Sequence, residues 1–280
     1  MNNGMVARSL KNGLMMLLMG CATLLVLTPL VLIFVHIVRE GAGSINLDFF
    51  INIPNPPGES GGGMANGLVG SAVILFMASL IGIPTGIFGA LYLSEYEGNR
   101  LAQVIRFSAD VLAGVPSIIT GLVAYTLIVV PMHGFSAVAG AVALGLIMIP
   151  IVLRTTEEQL KMVPGTLREA ALALGVPFWR TTLQVTLRSA LKGIITGVLL
   201  SIARVAGETA PLLFTALGNQ FWSSKLTEPM AALPLQIFNF AISPYEDWHR
   251  LAWAGALVLV VIMFGISLVA RFFGREKSMG

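Results

Sequence analysis

The chain has 280 residues, of which 56% are hydrophobic and only 11% charged, with a mean hydropathy of +0.84 and a formal net charge of +3. Soluble domains carry about 25% charged residues, so this composition excludes a water-soluble fold and requires an integral membrane protein. With Cys21 as its single cysteine the chain offers no disulfide framework and no CxxC metal site, and no basic patch interleaved with aromatics supports nucleic-acid binding.

Six apolar stretches have the roughly 20-residue length that a bilayer demands. In lipid such stretches must be helical, because their backbone groups have no partner but one another. They predict an all-α, six-span polytopic protein, with helices over residues 13–37, 67–93, 104–130, 136–152, 191–214 and 251–273. The first starts where a secretory signal would, but it is long, is broken at Thr28-Pro29 and has no small-residue cleavage site, which predicts a retained helix. An outer loop over 41–66 follows, rich in Pro, Gly and Asn. Its Gly58-Glu-Ser-Gly-Gly-Gly63 lacks the Gly-Lys-Ser/Thr ending of a phosphate loop, and no Walker A sequence occurs elsewhere.

Orientation follows from Lys and Arg. Of the 17, only Arg39, Lys225 and Arg250 fall on one side and Arg204 falls inside a span. The others, from Arg8 and Lys11 to Arg275 and Lys277, fall on the opposite side, which predicts cytoplasmic termini and a cytoplasmic segment 154–190. Trp222, Trp248 and Trp253 are placed near the outer boundary, as interfacial anchors. His36, His133 and His249 lie outside too, without metal-ligand spacing.

In the third span, Asp110 stands one helical turn after Arg106 and is expected to pair with it. Pro116 can kink that helix, and Ser117 can then present a hydroxyl to a pore. After the fourth span comes a polar insert, Thr166-Leu-Arg-Glu-Ala-Ala-Leu-Ala-Leu-Gly175. Thr166 and Glu169 have capping-box spacing, which predicts a short helix starting there. Gly175 can take the left-handed conformation that ends a helix, and Val176-Pro177 forbids continuation. A second helical segment over 178–187 then runs back toward the membrane.

The fifth span holds the charge pair Arg204 and Glu208. From Lys192, a rise of 1.5 Å per residue puts Arg204 about 18 Å into a core of about 30 Å. A charge at that depth costs at least about 2.5 kcal/mol and must face protein or water. Gly193, Gly197, Ser201, Arg204, Glu208 and Pro211 fall on one helical stripe roughly 80° wide. Two readings stand: a buried salt bridge that holds the bundle, or an anion site on a translocation path. Guanidinium offers a permanent charge and a planar fork of donors suited to an oxyanion. Glu208 could accept a hydrogen bond from an oxyanion that keeps a proton near neutral pH, as phosphate does and sulfate does not. Asp110, Pro116, Ser117 and Ser201 are the further pathway candidates.

Glu169-Ala170-Ala171 with Gly175 resembles the EAA loop of ABC-importer permeases. The chain departs from that pattern at Leu187-Arg188, where many members have Leu-Pro, so the second segment is free to run on into the fifth span. The stretches 86–96, 114–121 and 202–215, with Asn219-Gln-Phe-Trp222, are similar to permease subunits of high-affinity phosphate ABC importers. The similarity runs from about residue 67 to the end of the chain. It implies a type I ABC-importer permease fold in the inner membrane, with Glu169, Ala170 and Gly175 at the ATPase-docking positions and Arg204 and Glu208 in the phosphate pathway. It also implies a second permease (PstC-like), an ATPase dimer (PstB-like) holding ATP and Mg, and an extracytoplasmic phosphate-binding protein (PstS-like). This chain would then bind no cofactor and would be a transport subunit rather than an enzyme. The expected layout is an N-terminal helix and outer loop (1–66), a permease domain (67–273) containing the EAA loop (154–190), and a cytoplasmic tail (274–280). Two alternatives remain: a permease for sulfate, molybdate or phosphonate, and an ion-coupled secondary transporter that uses Arg204 and Glu208 as a charge switch. Against the latter stand the docking helix and the lack of a visible inverted repeat.

Overall fold

The computed structural model of the chain describes residues 3–274, so the expected tail, with Arg275 and Lys277, lies outside the described residues apart from Gly274. In chain order the helices are α1 (Asn3–Ala42), α2 (Leu47–Ile51), α3 (Ala65–Glu95), α4 (Arg100–Gly114) and α5 (Ser117–Ala124), which passes through a π turn at Tyr125–Val129 into α6 (Val130–Met132). Then come α7 (Ala137–Lys161), α8 (Gly165–Ala173) and α9 (Phe178–Arg180), followed by a π turn at Thr181–Thr186 that opens into α10 (Leu187–Ala206). The last three are α11 (Ala210–Leu213), α12 (Leu233–Ala241) and α13 (Glu246–Gly274).

Five helical runs are long and apolar enough to cross a bilayer alone, and α4 with α5–α6 makes a sixth that is bent by 107°. The six-span expectation therefore holds, with one span broken. The break falls at Val115-Pro116, where both residues take extended backbone (ψ 129° and 135°). Proline excludes the helical conformation from the residue before it, and its missing N–H cannot continue the ladder.

Small residues set the packing. Along α3 the buried positions Gly70, Ile74, Ala78, Gly82, Gly86 and Ala90 recur every four residues. This seam lies against α7 so closely that a Cβ at Gly82 would stand 2.8 Å from Met148 Cβ, and one at Gly86 would stand 2.7 Å from Val152 Cβ. Lipid provides no hydrophobic force between helices, so close van der Waals contact through small residues replaces it. α10 meets α7 in the same way. A Cβ at Gly197 would be 2.8 Å from Thr155 Oγ1, and Gly193 lies against Gln159. By contrast, α1 stands away from the bundle along its apolar window and touches α13 near its end, where Gly41 abuts the Trp253 carbonyl.

The outer end is closed by a second core of Phe49, Met64, Leu233, Phe240, Trp248 and Leu251. Buried Asn66 organises it, donating to the Asn219 and Gln220 carbonyls at 3.0 Å each and accepting from Gln236 Nε2 at 3.1 Å. Trp248 belongs to this core and is not a free interfacial anchor. It stacks on Phe240 at 4.6 Å, and its indole N–H donates to the Asn55 carbonyl at 3.3 Å. Trp222 and Trp253 remain exposed, as expected.

Several expected boundaries move. The fourth helix runs past residue 152 to Lys161, and the fifth begins as far back as Phe178 and ends at Ala206, short of 214. The departure at Leu187-Arg188 thus has its expected consequence, since the second segment and the span are one 29-residue helical run. The capping box is not formed. Pro164 precedes a helix that starts at Gly165 without a side-chain cap, which places Thr166 inside the first turn. Preset φ at Pro164 supplies the start that the threonine was expected to provide.

Candidate functional site

Two broken helices meet at one place. The first break is Val115-Pro116, between α4 and α5. The second is at Gly207, where α10 ends with the Gly207 amide donating back to the Arg204 carbonyl at 3.4 Å, before α11 begins at Ala210. Irregular backbone at membrane depth is tolerated only where it is buried in protein or lines a cavity. Here it lines one. A cleft of about 230 Å³ is walled by Val115, Pro116 and Ser117 from the first break, Arg204 and Glu208 from the second, and Ile147, Pro150 and Ile151 of α7.

The chemistry of this cleft follows from the helix ends. α5 starts at Ser117, which lines the cleft, and no side chain caps its first amides, of which that of Ile119 donates to the Pro116 carbonyl at 2.9 Å. A helix N-terminus favours anions through those amides and through its dipole. Arg204 lies in the last turn of α10, where the opposite end of a dipole favours a cation. The cleft is smaller than the roughly 300–1,000 Å³ of pockets for drug-sized ligands, which suits a small ion.

Arg204 is exposed on the lone chain and Glu208 is partly exposed. Among the described residues, no ion pair within 4.0 Å joins Arg204 to Glu208 or to any other carboxylate. Glu208 is not on the helix that carries Arg204, so the expected stripe is cut at Gly207. The two charges nevertheless border the same cleft, as do Pro116 and Ser117. Ser201 does not: it is buried, and its hydroxyl donates to the Val198 carbonyl at 2.7 Å. The closeness of the two broken segments depends on Gly121, whose Cβ would lie 2.7 Å from Pro211 Cα.

Asp110 is also outside the cleft, and its expected pairing with Arg106 is not what forms. It pairs with Arg154 of α7, while Arg106 turns to Glu157, with Nη2 at 2.6 Å and Nε at 3.1 Å from Oε1. Arg106 and Asp110 share one face of α4, and that face lies on α7, so both find partners across the interface rather than along their own helix. Glu157 is the hub of this network. Its side chain is 3% exposed, and it also meets Arg154 Nη1 at 3.2 Å and Lys161 Nζ at 3.0 Å. Lys161 continues to Glu97 at 3.3 Å. Sequence reasoning missed Glu157 because α7 was expected to stop at 152. The signal was present in Arg154, Glu157 and Lys161, spaced i, i+3 and i+7 on one helical face.

Removing one partner from a buried ion pair typically costs about 3–5 kcal/mol, because the remaining charges stay uncompensated. Glu157→Gln should therefore lower thermal stability in detergent far more than Glu228→Gln, whose pair with Lys225 is exposed. Equal melting temperatures for the two variants would show that the hub contributes nothing to stability.

The insert forms α8, and its two faces differ. Glu169 and Ala170 are exposed, whereas Ala171 is buried and Arg168 is turned toward the bundle. Gly175 ends the turn with φ +80°, in the left-handed region where a side chain is strained.

Residues 82–278 match the family described as binding-protein-dependent transport system inner membrane component. The chain is 46% identical to the phosphate transport system permease protein PstA of Yersinia pestis over 272 residues, covering 97% of this chain and 92% of that protein. It is 51% identical to the protein of the same name from Xylella fastidiosa over 237 residues, covering 84% of this chain and 82% of that one. Among solved structures it is similar to the inward-facing MetNI methionine ABC transporter, with a TM-score of 0.56 and 18% identity over 75% of this chain and 94% of that one. That likeness bears on the fold alone, which is that of an ABC-importer permease. A broken third span that meets the end of the fifth at a cleft, a polar helix on one face and this extent of sequence identity lead to one conclusion: the chain belongs to the binding-protein-dependent transport system inner membrane components, and among them to the PstA permeases.

Proposed function

We propose that this chain is the membrane permease of an ATP-driven inorganic phosphate importer and forms half of its translocation pathway. The observation that carries the reading is the Arg204–Glu208 cleft at the meeting of two broken helices. Half-helix ends that point at an anion also build substrate sites in other classes of membrane transporter. Arg204 holds an oxyanion by charge and fork, the α5 amides add donors, and Glu208 accepts the proton that phosphate retains. Because Arg204 is exposed and has no ion-pair partner among the described residues, a second permease of PstC type would supply the surface that closes the cleft.

The chain works as a transport subunit with separate partners, as its family name implies. ATP and Mg belong to a PstB-type ATPase dimer that docks on the exposed Glu169–Ala170 face of α8. Phosphate arrives from a PstS-type binding protein on the opposite side. Both termini and α8 are then cytoplasmic, in agreement with the Lys and Arg asymmetry.

The test is uptake of labelled phosphate by the complete complex in proteoliposomes. Uptake should require ATP and the binding protein, survive collapse of ion gradients and resist excess sulfate, molybdate or phosphonate. Absence of labelled phosphate uptake together with ATP-driven uptake of one of those anions would replace phosphate as substrate. Uptake that stopped with the ion gradient would instead favour a secondary transporter.

A further inference from the structure

Arg168 and Glu95 stand outside the cleft and outside the Glu157 network. Glu95 is the last residue of α3, and its side chain is only 7% exposed. Its carboxylate faces the guanidinium of Arg168 on α8, and among the described residues neither of its oxygens has a hydrogen-bond partner elsewhere. Arg168 adjoins Glu169, about 100° round the helix, and is half-buried where Glu169 is exposed.

Three routes therefore leave α8. Two are covalent: residues 162–164 lead back into α7, and Gly175, α9 and the π turn at Thr181–Thr186 lead into α10 and so to Arg204. The third crosses Arg168–Glu95 into α3, whose Gly82 and Gly86 lock onto Met148 and Val152 of α7. Residues 147, 150 and 151 of that same stretch of α7 form the wall of the cleft facing Arg204. We infer that the Arg168–Glu95 pair is a coupling strut beside these two links, and that its two members are positioning residues carrying displacement of α8 to α3 and the α7 wall packed on it.

Packed interfaces of this density transmit displacement because they are not continuously deformable. Both covalent links are non-helical joints, at Pro164 (ψ 132°) and at Gly175 (φ +80°), on which α8 alone would pivot. With the strut, displacement of α8 passes into α3 and through its seam into α7. The inference rests on the reading that α8 docks on the ATPase.

The experiment uses the complete complex in proteoliposomes and reads three quantities: complex yield, ATP hydrolysis, and phosphate taken up per ATP hydrolysed. Glu95→Gln and Arg168→Gln should retain ATP hydrolysis and lose uptake per ATP by at least about tenfold. If either single variant assembles poorly, the neutral double variant, which leaves no buried charge unpaired, carries the test. It should assemble and stay uncoupled. The charge exchange Glu95→Arg with Arg168→Glu should recover a large part of uptake per ATP. Normal coupling in the double variant overturns the strut. Uptake and hydrolysis that fall together in proportion to yield overturn it too, because a purely structural pair behaves that way. Glu169→Lys separates this inference from its premise. If that variant keeps the ATPase bound and coupled, the docking reading fails; if it uncouples while Glu95→Gln and Arg168→Gln behave as wild type, only the strut fails.

Discussion

Arg204→Gln should insert and assemble at normal yield and lose phosphate uptake by at least about 100-fold. The glutamine amide has neither the permanent charge nor the planar fork. Two charge-assisted hydrogen bonds, at about 1.5–3 kcal/mol each, account for a loss of that size. The decisive comparison is the double variant Arg204→Gln, Glu208→Gln. If Arg204 only neutralised Glu208, removing both charges would restore transport, since no uncompensated charge would remain. The structure weighs against that role, because no ion pair joins the two residues although both border the cleft. The expected outcome is no rescue, measured as uptake alongside complex yield. Arg204→Lys should keep at most a small part of the activity, as a point charge on a flexible stem cannot reproduce bidentate geometry. Recovered uptake in the double variant would remove the substrate role from Arg204.

A second large effect is expected at the exposed face of α8. Glu169→Lys should leave the permease inserted and abolish uptake, because on the proposed docking of α8 it would put a cation where the ATPase receives an anion, and like charges across an interface cost several kcal/mol. The measurement is ATPase copurification in mild detergent together with ATP-driven uptake. Gly175→Val should produce a milder form of the same defect. Space around Gly175 is open, so the penalty comes from backbone strain at φ +80° and not from a clash. Unchanged copurification and uptake in Glu169→Lys would make α8 an ordinary surface helix.

The legible parts of this protein were those governed by local chemistry. Span count followed from apolar length, and the run-on from 178 into α10 followed from the missing proline at position 188. Gly175 was identifiable as a left-handed helix end because Val176-Pro177 stands behind it. Pro116 was recognisable as a place where the third span could kink, but not as a 107° break. Proline sets only the local dihedrals, whereas the size of the turn depends on what α4 and α5 each pack against: α7 for the one, α7 and Pro211 for the other.

Charge partners were the least legible. Arg106 and Asp110 are one turn apart and invite a local pair, yet their partners Glu157 and Arg154 lie 51 and 44 residues away. Glu95 and Arg168 carried no sequence signal as a pair, since one ends a membrane helix and the other sits in a polar insert.

By itself, then, the sequence determined the membrane class, the six spans, the polar helix of the insert and the presence of one cation and one anion near the end of the fifth span. These depend on composition, on spacing within one helix and on the preferences of proline and glycine, all of which act over a few residues. Only the tertiary structure decided that the span carrying Arg204 stops at Gly207, that Glu208 and Ser117 come to the same cleft from two different breaks, and that Ser201 does not. It alone decided which acid meets which base. Helices slide and tilt until their small-residue seams interlock, and the seams along α3, α7 and α10 fix which distant side chains come within reach of one another.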